Sequence, residues 1–230
     1  MRRLVVVLLV LVALAVAADR VALHVAQVSV ADQVRTSAEL QTRPVVRVRG
    51  FPFLTQAAQG TYGRIDVTAT DVDRGGVRVK RFEATLHDVE VPLSDALHGE
   101  VGAVPVGSID ATALVTYADL AHRSGLVGLT IEPAEGGVRV TSRLTVLGQT
   151  VRATALSRLS LRGSRIAVTA RSLSVLGQSS PALVNALAGR LDLLVPVGEL
   201  PYGLHLTSLR TTGGGVLLRA RSGPTVLTRP

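Results

Sequence analysis

Between residues 138 and 171 the chain alternates aliphatic with Arg or Thr side chains, and this pattern restricts the fold more than any other stretch. Val138, Val140, Leu144 and Val146 are interleaved with Arg139, Thr141, Arg143 and Thr145. After Leu147-Gly148-Gln149, the residues Val151, Ala153, Ala155, Leu159 and Leu161 oppose Arg152, Thr154, Arg158 and Arg162. After Gly163, Ile166, Val168 and Ala170 oppose Arg165, Thr169 and Arg171. A period of two sends successive side chains to opposite faces of a strand. The stretch therefore predicts an antiparallel meander, aliphatic on one face and Arg/Thr on the other.

Strands also dominate earlier. Val45 to Arg49 is short, Arg64 to Val72 alternates around Ile65 and Val67, and Val77 to Val91 is long. In the long one the apolar face changes phase twice, from Val77 and Val79 to Phe82, Ala84 and Leu86, then to Val89 and Val91. A strand follows such a pattern only with bulges or a strong bend, so a coiled sheet is expected. Further strands are expected over Val104 to Val115 and Leu126 to Ile131, with a closing hairpin of Leu204 to Leu209 and Val216 to Arg221. Pro92 to Leu97 reads as one helical turn, and Thr116-Tyr117-Ala118-Asp119 as a capping box opening a short helix. Ser180 and Pro181 open another helix, with Leu183, Leu187, Leu191 and Leu194 on one stripe. From Asp19 to Leu40, Val21, Val25, Val28, Ala31, Val34 and Ala38 recur every three or four residues, the stripe of an amphipathic helix covering a sheet.

The N-terminus stands apart. Met1-Arg2-Arg3 precedes the uncharged run Leu4 to Ala18, with Ala15-Val16-Ala17 as an A-x-A site. As a helix, 15 residues span roughly 22 Å, short of the ~30 Å hydrocarbon core. Residues 1–18 are expected to be a signal peptide, with an uncleaved anchor as the alternative. Residues 19–230 then form a single domain, because no linker of domain-separating length occurs. Strands with a few helices make the fold class α+β.

Chemistry is sparse. The chain has no Cys, which removes disulfides, thiolate metal sites, a thiol nucleophile and an acylated lipoprotein leader. Five scattered His fit no zinc spacing, so no metal site is expected. Asp71-Val72-Asp73-Arg74-Gly75-Gly76 begins like a calcium loop, but the twelfth position is Phe82, and a hairpin turn is the simpler reading. There is no G-x-S-x-G elbow, P-loop or dinucleotide fingerprint, hence no expected catalytic residue or cofactor. The net charge is +8, and Lys80 is the sole Lys among 25 basic residues. The arginines lie on strand faces without interleaved rings for base stacking, so nucleic acid is not an expected partner.

Rings are scarce: three Phe, three Tyr and no Trp in 230 residues. Two of the Phe and one Tyr lie in Gly50-Phe51-Pro52-Phe53-Leu54-Thr55-Gln56 and the following Gly60, Tyr62 and Gly63. Bulky rings bury much area each, so this window is expected to anchor something. Two arrangements satisfy it: a loop tucking both Phe under a sheet, or a hydrophobic lip at the mouth of an apolar cavity.

The same window, with Ile65-Asp66-Val67, resembles the signature of the LmeA-like phospholipid-binding family of actinobacterial envelope proteins. Leu200-Pro201-Tyr202-Gly203-Leu204-His205-Leu206, a Gly-rich turn and Val216-Leu217-Leu218 resemble that family's closing motif. Between them, Val89-x-Val91-Pro92-Leu93, Ser108-Ile109-Asp110-Ala111 and Tyr117-Ala118-Asp119-Leu120 also fit, so the likeness runs from about Asp19 to Leu227.

The resemblance implies an exported protein of the periplasm or cell envelope that binds phospholipid and supports lipomannan mannan elongation without catalysis. It also implies a fold like tubular, BPI-like lipid-binding domains, a long curved antiparallel sheet wrapped on an amphipathic helix. From the pattern of residues, Phe51, Phe53 and Leu54 are expected to form the lip and Leu183, Leu187 and Leu191 the wall, with Tyr62 also binding lipid and Arg49 and Arg64 attracting the headgroup. Expected partners are phospholipid, a membrane surface bound peripherally, and envelope glycosyltransferases. Two alternatives stay open: an adaptor that holds glycosyltransferases on its Arg/Thr sheet face, and an envelope hydrolase with an unrecognised site.

Overall fold

The computed structural model describes residues 2–74, 77–98, 102–123, 128–146, 149–162, 165–175, 178–179, 193–196 and 200–228. The fold is α+β, with antiparallel sheets and an N-terminal helix. Contacts divide the chain into two compact units, Met1–Ala69 with Glu83–Asp110 and Ser222–Pro230, and Thr70–Phe82 with Ala111–Arg221. One sheet has the order β1-β2-β3-β4-β12-β11, from strands Val45–Arg49, Thr61–Arg74, Val77–Glu90, Ala103–Val115, Gly215–Ser222 and His205–Thr212; β13 (Thr225–Thr228) also pairs with β4. The other has the order β10-β8-β7-β6-β5, from Leu193–Pro196, Arg165–Val175, Gln149–Arg162, Gly137–Val146 and Thr130–Ala134, with β9 (Gln178–Ser179) on β8.

In the first unit, helix α1 (Arg2–Ser37) is continuous through the apolar run, and every residue from 4 to 18 is exposed. Its inward face keeps half of the expected stripe. Ala31 is buried and Val28 and Val34 are half-buried, whereas Val21, Val25 and Ala38 are exposed and Asp19 is buried, with Leu23 and Ala26 half-buried. Asp19 is buried because its carboxylate accepts backbone amides of the next helix. Helix α2 (Phe53–Gln59) follows β1 where the sequence reads as a loop or lip, and α3 (Leu93–His98) supplies the expected helical turn. In β1, Val46 and Val48 are buried and Arg47 and Arg49 exposed, the alternation of a sheet covered on one side.

The second phase change expected in β3 is visible. Asp88 has φ 51, and Ala84 and Val89 are buried on either side of it. Neighbouring β4 makes room with Gly107, where an added Cβ would lie 3.0 Å from the Asp88 Cβ. Asp71 on β2 has φ 51 as well. A positive φ within a strand interrupts its regular alternation.

The second unit contains the expected antiparallel meander with its aliphatic residues on one face. Val138 pairs with Ser157 and Val140 with Ala155, while Arg139 pairs with Leu156 and Arg143 with Arg152. Leu159 pairs with Val168 and Leu161 with Ile166, so the aliphatic residues share one face. The register shifts by one residue on β8 beside Leu156 and Ser157, which places Arg171 in the bulge. Helix α4 (Tyr117–Arg123) opens on the predicted capping box: the Asp119 amide donates to Thr116 Oγ1 at 3.2 Å, and that hydroxyl donates to the Asp119 carboxylate at 2.5 Å. Tyr117, Val138 and Val216 form a buried cluster bordered by Leu120, Ile131, Val140, Leu159, Leu209 and Leu218.

Two expectations need correction here. Of the strand expected over Leu126 to Ile131, Leu126 and Val127 lie outside the described residues, Gly128 and Leu129 precede the strand, and β5 runs on from Thr130 to Ala134. Leu194, placed on a helical stripe, lies in β10 opposite Ala167. The run Leu193-Leu194-Val195 ends at Pro196, and a short apolar run closed by Pro fits an edge strand as well as a helix end. Leu183, Leu187 and Leu191 lie outside the described residues.

Candidate functional site

The ring-bearing window folds as a tight turn into α2, and its side chains divide. Phe53 is buried at 6 % exposure, Ala57 beside it is buried, and Tyr62 on β2 is buried at 8 %. The Phe53 and Tyr62 rings pack with centroids 6.2 Å apart and planes tilted by 32°, within the range favoured for aromatic pairs. Burial pushes the Tyr62 phenol above its ordinary pKa. Phe51 and Leu54 point the other way and are 63 % and 44 % exposed. The window therefore has an anchor, Phe53 with Tyr62, and an outward lip, Phe51 with Leu54.

A short helix holds this shape only if its ends are satisfied. The residue before α2 is Pro52, whose side chain offers no cap. Asp19, more than thirty residues earlier, supplies the acceptor: its Oδ1 takes the Leu54 amide at 2.8 Å, and the Phe53 amide contributes as well. Arg20 donates Nε and Nη2 to Asp19 Oδ2 at 3.1 and 2.5 Å, and its guanidinium carbon lies 5.0 Å from the centre of the Phe51 ring. That is cation–π range. Burial raises the Asp19 pKa, but the Leu54 amide, Arg20 and the Phe53 amide outweigh it, so the carboxyl lies below its ordinary range. At the other end Gly60 adopts φ 70, its amide donates to the Ala57 carbonyl at 3.2 Å, and its carbonyl accepts the Val91 amide at 2.8 Å. Behind the turn, Gly50 at φ 103 leaves space that Gln56 fills; a Cβ there would sit 2.7 Å from Gln56 Nε2.

The two expected headgroup arginines are brought together on the exposed face of β1 and β2. Arg49 and Arg64 are direct cross-strand partners. Like charges so placed repel, and Asp66 stands between them: Arg49 Nε donates to one carboxylate oxygen at 2.7 Å and Arg64 Nε to the other at 2.8 Å. Thr85 donates its hydroxyl to Asp66 at 3.1 Å. Burial raises the Asp66 pKa, and the hydrogen bonds from Arg64, Arg49 and Thr85 reverse that and lower it. The triad keeps one net positive charge, with both guanidinium side chains more than half exposed.

Among the described residues no group of His, Asp and Glu has the geometry of a metal site. His87 Nε2 lies 3.5 Å from Asp110 on the sheet surface. Asp19 and Arg20 are the site residues that sequence reasoning missed. The available signal was indirect: a helix preceded by Pro has no cap of its own, and Asp19 is the first charge after the apolar run.

The model of the LmeA-like phospholipid-binding family matches residues 17–221, a span that takes in Asp19, the lip, the Asp66 triad and the meander. No curated protein and no solved structure matches the chain. A match over most of the chain, carrying the window and the closing run in order, establishes that this protein belongs to the LmeA-like phospholipid-binding family.

Proposed function

We propose that this protein is a non-catalytic phospholipid-binding protein of the cell envelope, acting in the periplasm in support of lipomannan mannan elongation or envelope maintenance. The observation that carries the reading is the family match, which spans the whole lip and its supports. The geometry adds a means. Exposed Phe51 and Leu54 offer an acyl chain an apolar first contact, and Phe53 with Tyr62 fixes them in place. The Arg49–Asp66–Arg64 triad offers guanidinium donors with one surplus charge, suited to a phosphate. Leu183, Leu187 and Leu191 remain the wall of the proposed groove, in a long curved sheet wrapped on a helix. The exposed α1 run is compatible with export by a signal peptide or with an anchor, and the exposed lip supports peripheral contact of the exported domain with a membrane surface.

The test is native mass spectrometry of the chain exported into a periplasm and purified without detergent. A bound mass equal to a phospholipid, lost on solvent extraction, is expected. A bare protein mass that also takes up no lipid from vesicles overturns the reading. One observation favours a second reading, the adaptor for glycosyltransferases. Arg139, Arg143, Arg152 and Arg158 are all exposed on one sheet face, with Arg143 directly opposite Arg152. Capture of a glycosyltransferase that needs Arg143 or Arg158 but tolerates a lipid-filled protein would favour it.

A further inference from the structure

The exposed apolar surface of the first unit does not stop at the lip. Residues 4–18 of α1 are exposed along their whole length, and Leu14 is 61 % and Val16 40 % exposed just ahead of Asp19. By length and composition α1 contains a stretch able to cross a membrane. Asp19, the first acidic residue after that stretch, is buried at 2 % and bonded to the Leu54 amide. Phe51 and Leu54 are thereby fixed beside the last turn of the apolar run, and Arg20 lies over the Phe51 ring. The arrangement has the order of an interfacial anchor: aliphatic residues first, then a hidden acid, then an exposed ring and a cation at one level.

Resting on the phospholipid reading, we propose that the lip is a bilayer-contacting wedge. On the anchor alternative, with residues 4–18 retained, Phe51 and Leu54 insert at the headgroup–acyl boundary of the leaflet that those residues enter, Arg20 lies at the phosphate level, and Asp19 is the positioning residue that holds the wedge there. A phospholipid bilayer fits this surface better than a second copy or another protein. The apolar area continues into a segment composed like a membrane-crossing one, and the Arg20 guanidinium at its border, held by Asp19 through Nε and Nη2, is 46 % exposed and keeps further N–H donors for phosphates. Hiding Asp19 withdraws from the lip a carboxylate that would oppose insertion. The consequence is that lipid exchange would take place with the chain seated on the membrane.

The chain has no Trp, so Phe51→Trp gives a single fluorescent reporter at the wedge. In the full chain reconstituted into phosphatidylcholine–phosphatidylglycerol vesicles, the emission of the Phe51→Trp chain should shift to the blue and resist acrylamide. Bromines high on the acyl chain should quench it more than bromines near its end, as expected for a wedge roughly 5–10 Å into the interface. Leu54→Trp should report the same depth, which guards against a misfolded Phe51 variant. Adding Asp19→Ala should return the emission to the red and open it to acrylamide, whereas Asp19→Asn, which keeps an acceptor for the Leu54 amide, should retain most of the shift. Water-like emission with both reporters overturns the proposal, and so does a shielded indole that brominated lipid leaves unquenched, since a protein surface then covers it. Native mass spectrometry of the reporter chains separates the two readings: bound phospholipid with an unshielded indole removes only the wedge, and loss of both removes the phospholipid reading too.

Discussion

Asp66 occupies the place where strand pairing sets Arg49 against Arg64, and three groups donate to its carboxylate. Replacing it by Asn leaves two guanidinium groups facing each other with half of the acceptor capacity gone. Asp66→Asn should lower stability by about 1–2 kcal/mol, read as a shift of the urea midpoint at neutral pH. The pH dependence follows from the direction of the shift. The carboxyl is held below its ordinary value of 3.8, so its contribution is fully present above that value and is lost as pH falls through the lower, folded pKa. Wild type should therefore lose stability faster than Asp66→Asn in that acidic window; equal slopes would show that the triad does not stabilise the fold. If the triad serves headgroups, the same change should also alter selectivity toward anionic lipid. Little of this was legible in advance. Arg49 and Arg64 were singled out for their charge, but the acid between them sits in a motif residue, Asp66, that sequence reading treated only as part of a strand.

At the scale of elements, glycines at close crossings decide what can form. Gly215 begins β12 at φ 149, and an added Cβ would sit 2.2 Å from the Val115 carbonyl oxygen. Gly137 begins β6 with its Cβ direction 2.1 Å from the Ser157 carbonyl oxygen. Both neighbours are backbone and cannot swing aside, so Gly215→Ala or Gly137→Ala should cost several times the ~1 kcal/mol usual for a point change. A thermal midpoint unchanged within error for either variant would contradict these crossings. Tyr117 makes a softer join, its hydroxyl donating to the Thr212 carbonyl at 2.6 Å. Tyr117→Phe should cost about 1 kcal/mol while leaving the secondary structure intact by circular dichroism.

These elements also show what sequence reading could reach. The two faces of the meander follow from the two-residue period of residues 138 to 171, and the irregular backbone at Asp88 from the phase change between Leu86 and Val89. Both signals are local. The burial of Asp19 was not legible, because its partner is an amide more than thirty residues away. Of the expected stripe, Ala31 is buried and Val28 and Val34 are half-buried, while Val21 and Val25, nearer that contact, lie outside. Strand β13 was missed for a similar reason: Thr225–Thr228 is too short to show a period, and its pairing with residues 103–106 defines it.

For the molecule as a whole, two kinds of attraction to lipid should be separable. A net charge of +8, carried mostly by exposed arginines on strand faces, draws the chain toward anionic headgroups over a range that salt shortens. The exposed Phe51 and Leu54 act only on contact, through apolar burial that salt does not screen. Retention on phosphatidylglycerol-containing vesicles should therefore fall with added salt to a plateau rather than to zero. Phe51→Ser with Leu54→Ser should remove much of that plateau, down to what residues 4–18 supply where they are present, and leave the salt-sensitive part in place. Phe53→Ser is the control with opposite meaning: Phe53 is buried against Tyr62, so it should unfold the turn and lower thermal stability. If the double variant keeps the full plateau while remaining folded, the lip does not contact lipid, and the aliphatic faces of the sheets become the next surface to change.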